Sequence, residues 1–149
     1  VDEKAGRIPL VAIMFYSMLA AAGFSIIENV FYADRSYYWT STLIIRAFTA
    51  TILHMVCGLI MGYFIALGRW SSQGQSELAM FLKKYPLLKR GVWTVIGLLC
   101  AVFLHGLYDF NLTIRHDNQA LYLFIMVLGG LFVTRTMAKD LIEKEKLST

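Results

Sequence analysis

Charge is scarce in this sequence. Charged residues make up 16% of its 149 positions, whereas a soluble domain carries about 25%. With 58% of residues hydrophobic, there is too little polar surface to coat a fold in water, and a soluble globular domain is excluded. Proline is nearly absent as well. Pro9 and Pro86, the two present, fall outside the interiors of the apolar runs, which argues against the Gly/Pro-interrupted helices typical of transporters. The only cysteines, Cys57 and Cys100, lie within apolar runs, so the chain is no disulfide-stapled scaffold. The first apolar run is too long for a signal peptide and lacks a small-residue cleavage site. There is no internal repeat and no low-complexity tract.

What is there in abundance is lipid-compatible length. Crossing a hydrocarbon core takes about 20 mostly apolar residues, and four stretches qualify: 8–32, 42–67, 92–112 and 120–138. The expected fold is an all-α polytopic transmembrane bundle forming a single domain over residues 1–149. The outer connections, 33–41 and 113–119, are short, which makes consecutive helices antiparallel neighbours. Between Arg69 and Arg90 a polar stretch (SSQGQS) precedes Leu78, Phe81, Leu82 and Tyr85 at helical spacing, the pattern of a short interfacial helix stopped near Pro86. The tail from Lys139 alternates charges and reads as a solvated helical extension.

The net charge of +4 is sorted by loop and forms no basic patch among aromatics, so nucleic acid is not an expected partner. Given four spans, eleven basic residues fall on one side: Lys4, Arg7, Arg69, Lys83, Lys84, Lys89, Arg90, Arg135, Lys139, Lys144 and Lys146. Only Arg35 and Arg115 fall on the other. The positive-inside rule then makes both termini and the 68–91 loop cytoplasmic.

Glu28, His54, His105 and Asp109 lie inside these spans, where a charged side chain costs about 2.5–3.5 kcal/mol on insertion scales. They must face one another, water or a metal. Positions four apart share a helix face. The face through His54 reads Ala50, His54, Gly58, Gly62, Ala66, and its small residues let a second helix approach closely. In the third span it reads Gly97, Ala101, His105, Asp109; in the first, Ala20, Phe24, Glu28, with Asn29 alongside. Glu28 and Asp109 are each within about one turn of the outer boundary and His105 is one turn deeper. His54 is about 18 Å from Thr42, or about 12 Å if the helix enters at Arg46. With helix tilt absorbing the difference, the four groups are expected to converge in the outer half of the bilayer. Each also has a structural alternative: a helix–helix hydrogen bond for His54, an orienting dyad for His105 and Asp109, a helix-end cap for Glu28 and Asn29. Arg46, near a helix end, is expected to snorkel to the outer headgroups. Cys57 is off the His54 face and reads as packing.

Three segments together carry a family resemblance. Gly23-Phe24-Ser25-Ile26-Ile27-Glu28-Asn29, then His54 in an apolar helix, then His105-Gly106-Leu107-Tyr108-Asp109 resemble the F-x-x-x-E-N, lone-His and H-x-x-x-D motifs of the PrsW family of intramembrane proteases. That family is related to the CAAX-prenyl-protease and bacteriocin-immunity membrane proteins. The resemblance spans about residues 20–112 and implies a helical membrane protease acting on membrane-anchored, typically regulatory, protein substrates. It also implies a multi-pass protein of a bacterial plasma membrane. The family's first motif, E-E-x-x-K, has no match here, and the expectation is that this chain forms the C-terminal part of a larger enzyme.

Glu28, His54, His105 and Asp109 are accordingly the expected catalytic residues. Peptide hydrolysis needs an activated water, a base and an oxyanion stabiliser. Glu28 suits an acid–base role. His54 and His105 suit a metal such as zinc or another divalent ion, with Asp109 as third ligand or as the group that orients His105. Without a metal, the two histidines can donate to the oxyanion, so a metal-dependent and a glutamic mechanism both stay open. The rivals to a protease are a non-catalytic membrane scaffold using the same pocket and a small transporter or proton relay.

Overall fold

The computed structural model describes residues 8–71, 86–114 and 118–147. Among them run five helices: α1 (Leu10–Asp34), α2 (Trp39–Phe48), α3 (Ala50–Ser71), α4 (Pro86–Thr113) and α5 (Gln119–Leu147). No strand occurs among the described residues. The two prolines sit where a missing N–H does no harm: Pro9 caps α1, its carbonyl accepting from Ala12 N at 3.1 Å, and Pro86 opens α4. The interfacial helix expected around 78–85 lies outside the described residues.

Four stretches are long and apolar enough to cross a membrane: Leu10–Asp34, Trp39–Ser71, Arg90–Thr113 and Leu121–Leu147. They coincide with the four spans expected from sequence, and the chain is a multi-pass integral membrane protein. Large apolar side chains such as Phe103 and Phe132 stand exposed on the outside of the bundle, as lipid-facing residues must.

The α3 helix is the hub. More than half of its span is buried (56%), against 17% or less for each of the others. Its glycines are the reason. A Cβ at Gly58 would lie 2.6 Å from the Ser17 carbonyl and 2.8 Å from Ala21 Cβ, and one at Gly62 would lie 2.6 Å from Met14 Cα. The α1 backbone therefore rests directly on the small-residue face of α3, the packing that membrane helices use in place of a hydrophobic driving force. On the next side Gly97 of α4 sits against Met61 and Phe64. These pairings run antiparallel. On the third side α5 runs parallel to α3, with Gly130 against Val56 and Asp140 accepting from Tyr63 Oη at 2.9 Å.

One expectation is corrected and a second is narrowed. The second span is not one continuous helix: it breaks at Thr49. Thr49 Oγ1 donates to the Ile45 carbonyl (2.9 Å) and Thr51 Oγ1 to the Arg46 carbonyl (3.4 Å). Hydroxyls inserted into the backbone ladder in this way are a recognised cause of helix breaks. The tail is the expected helical extension, and it is solvated on one side only. Leu141 is fully buried, Asp140 is held by Tyr63 and Lys144, and Glu145 accepts from Leu10 N at 3.2 Å. With Arg69 Nη1 donating to the Ile8 carbonyl at 2.8 Å, these bonds gather the start of α1 and the ends of α3 and α5 at one end of the bundle.

Candidate metal centre

The polar residues of three helices meet in the half of the bundle away from that end. Glu28 lies six residues before the end of α1, about 9 Å along the axis. His54 is in the second turn of α3, and His105 and Asp109 are in the last turns of α4. His54 Nε2 is 3.1 Å from Glu28 Oε2 and 3.2 Å from His105 Nε2. The other ring nitrogen of His105, Nδ1, lies 3.0 Å from Asp109 Oδ2. Exposure grades outward: the His54 side chain is 7% accessible, Glu28 22%, His105 29% and Asp109 52%. His54 is the floor of the site and Asp109 its rim. Phe24 closes over His54, ring centroids 5.6 Å apart.

What each group of this cluster can donate limits how they pair. A carboxylate accepts only, and a neutral imidazole carries one N–H. Asp109 takes the Nδ1 proton of His105, which leaves Nε2 of that ring as a lone pair. That lone pair and Glu28 Oε2 both face His54 Nε2, which has at most one hydrogen to share between them. Arg46 Nη2 also donates to Glu28 Oε2, so one hydrogen on His54 Nε2 completes the set; with that nitrogen deprotonated, the same three atoms all offer lone pairs to a cation. Glu28, His54 and His105 each offer a ligand atom, all within 4.8 Å of one another. Tetrahedral zinc, with bonds of about 2.0–2.2 Å, spaces its nitrogen and oxygen ligands about 3.3 Å apart. The two edges that meet at His54, 3.1 and 3.2 Å, are near that spacing, and the edge between Glu28 and His105 is within 4.8 Å. Three protein donors with a position left over is also the donor number of catalytic rather than structural zinc.

Of the ligands expected from sequence, His54 and His105 are in this group and Asp109 is not. Glu28 is grouped with them instead, and Asp109 pairs with the other ring nitrogen of His105 at 3.0 Å. Cys57 is buried with its thiol on the Ala101 carbonyl at 3.6 Å, away from the cluster, and both cysteines are free.

Arg46 does not snorkel. Its Nη2 donates to Glu28 Oε2 at 2.6 Å and its Nε to Asn29 Oδ1 at 2.9 Å. The guanidinium carbon lies 3.7 Å from the centre of the Tyr32 ring, and the side chain is only 12% accessible. Asn29 is itself fixed, its Nδ2 donating to Thr51 Oγ1 (2.9 Å) and Ser25 Oγ (3.4 Å). The sequence does hold a signal for Arg46: it is one step of four before Ala50, on the face that continues through His54.

Residues 7–134 match the family described as PrsW family intramembrane metalloprotease. The chain is also similar to Protease PrsW of Clostridioides difficile (strain 630), with 26% identity over 117 residues, covering 77% of this chain and 44% of that protein. It thus spans less than half the length of that relative. No solved structure matches. The matched segment contains Glu28, Arg46, His54, His105 and Asp109, and a match over most of the chain places it in a family: this protein belongs to the PrsW family of intramembrane metalloproteases.

Proposed function

We propose that this chain carries the metal-holding part of an intramembrane endopeptidase that cuts membrane-anchored regulatory proteins near the outer face of a bacterial plasma membrane. The observation that supports this most is the convergence of Glu28 Oε2, His54 Nε2 and His105 Nε2 at 3.1 and 3.2 Å. The positive-inside rule puts the basic end of the bundle in the cytoplasm and the cluster in the outer half.

In this reading Glu28, His54 and His105 hold the cation, and zinc suits two imidazoles and a carboxylate. When bound, such an ion supplies Lewis-acid polarisation of a scissile carbonyl and of water. The residues of the chain do the rest. Asp109 keeps the proton of His105 on Nδ1, so that Nε2 faces inward. His54, buried on the α3 face that α1 covers, sets the floor. Asp109 is the carboxylate on the rim that water reaches. The carboxylate pair of the E-E-x-x-K motif has no counterpart in this sequence.

The test has two parts. Purified in detergent, the full chain should bind one zinc per molecule, and His54→Ala or His105→Ala should abolish stoichiometric binding. Co-expressed with a library of tagged single-span proteins and with a helix that carries an E-E-x-x-K pair, it should release outward-facing tags, whereas the chain alone should release few or none, and release should stop with either substitution. Absence of zinc binding by the wild type would refute the metal reading. Zinc binding without release of any tag even when that helix is supplied would favour the non-catalytic scaffold.

A further inference from the structure

Arg46 stands outside every motif that the resemblance brings with it, yet its side chain is held by three groups of α1. Three independent contacts fix it: the Glu28 carboxylate at 2.6 Å, the Asn29 amide oxygen at 2.9 Å and the Tyr32 ring face at 3.7 Å. A planar guanidinium suits such a place because its donors fork in fixed directions and its face stacks on aromatics, whereas an ammonium lacks both the fork and the planar face. The fork spans adjacent residues of α1, with Nη2 on Glu28 and Nε on Asn29. Asn29 cannot turn away, because its amide nitrogen is committed to Thr51 and Ser25. The break at Thr49 belongs to the same arrangement, since Thr51 Oγ1 donates to the Arg46 carbonyl and accepts from the Asn29 amide.

The decisive detail is the oxygen that Arg46 grips. It is Oε2 of Glu28, the same atom that faces His54 Nε2 at 3.1 Å. A glutamate side chain has three rotatable bonds, and of the two groups that meet this carboxylate, Arg46 makes the shorter contact and is the one that always carries charge. Burying an unpaired carboxylate is also costly. The guanidinium therefore does two things at once: it neutralises Glu28 and aims one chosen oxygen at the imidazoles.

We propose that Arg46 is a positioning residue of the metal centre, acting through Glu28, and that it sets both the affinity and the coordination geometry of the bound cation. This rests on the metal-holding reading given above. The effect of losing an outer partner of a metal ligand is commonly a 10–100-fold drop in affinity.

Cobalt(II) tests this in the full chain in detergent micelles, read by its visible d–d absorption and by competition with a chelator of known affinity. The wild type should give an intense tetrahedral-type spectrum, and Glu28→Gln should alter its position and intensity. Arg46→Gln should weaken cobalt binding about 10- to 100-fold and shift the spectrum towards that of Glu28→Gln. In a Glu28→Gln background the same Arg46→Gln change should have almost no further effect, because its target is gone. Arg46→Lys, which keeps the cation and loses the fork, should fall between wild type and Arg46→Gln. It also serves where Arg46→Gln does not fold, as monitored by size-exclusion elution and thermal unfolding. If both Arg46 variants match the wild type in affinity and spectrum while Glu28→Gln does not, the proposal is overturned and the metal reading stands. Equal weakening by Arg46→Gln with and without Glu28 would mean a general structural role and would also overturn it. If the wild type takes up no cobalt, both fall.

Discussion

Substituting Gly58 by alanine should damage the packing of the bundle and the metal centre together. A Cβ at this position would lie 2.6 Å from the Ser17 carbonyl oxygen, 2.8 Å from Ala21 Cβ and 3.0 Å from Met18 Cα. Non-bonded carbons rest about 3.5–4.0 Å apart, so the Ala21 contact is short by about 1 Å. Two of the three atoms are backbone and the third is a Cβ, so no rotamer change relieves the clash. The α1 helix must move off α3 by roughly that amount. Overpacking of this kind costs about 1–3 kcal/mol. Ala21 is two turns before Glu28, about 10 Å along α1, so the displacement carries to the Glu28–His54 contact. A 3.1 Å separation stretched by about 1 Å is no longer a hydrogen bond, and the ligand spacing is lost with it. Gly23→Ala is the control on α1: nothing lies within 4 Å of the place its Cβ would take, and alanine is the better helix former by up to about 1 kcal/mol. Reversible unfolding in mixed micelles gives the stability, and chelator competition gives zinc affinity. Stability equal to that of Gly23→Ala would refute the packing argument. Lowered stability with unchanged zinc affinity would show that the α1–α3 crossing does not position the site.

Other outcomes follow from single contacts. Asp109→Asn should lower zinc affinity about 10- to 100-fold with little change in stability, because its side chain is half-exposed and pairs with His105; chelator competition decides. Tyr108→Phe removes the bond to Thr49 Oγ1 (3.0 Å) and should cost about 1 kcal/mol in the same unfolding assay while leaving zinc stoichiometry at one. Single cysteines at Ser36 and Asn118 should react with an impermeant reagent on intact cells and one at Ser72 should not; the reverse pattern would invert the proposed topology.

Much of this arrangement is legible in the residues themselves. Apolar run length marks the four spans because lipid imposes it. The small-residue face of α3 shows where a neighbour can come close, and Gly58 and Gly62 indeed carry the α1 backbone. The spacing of His105 and Asp109 places them one turn apart on one helix, where they bond. How three separate helices share one depth is not written in any one of them. On a straight helix that enters the membrane at Arg46, this side chain falls at the interface. The break at Thr49 and the antiparallel α1 instead bring it against Glu28 and Asn29. That Glu28 rather than Asp109 groups with the two imidazoles has the same origin: i, i+4 spacing reports a bond within α4, whereas the Glu28–His54 contact depends on the register of α1 on α3, which the close approach at Gly58 and Gly62 sets. Burial of the tail is hidden for a related reason, since its charges outnumber Leu141, whose packing depends on α5 running alongside α3.

Whether Glu28, His54 and His105 jointly hold one divalent cation is tested most directly by X-ray absorption on the zinc-loaded chain. The expected result is one zinc per chain with two imidazole nitrogens and carboxylate or water oxygen, all at about 2.0–2.2 Å. One imidazole should be lost from the spectrum of any His105→Ala protein that still retains metal. A zinc environment unchanged in both His54→Ala and His105→Ala, or no stoichiometric zinc in the wild type, would contradict the three-residue site.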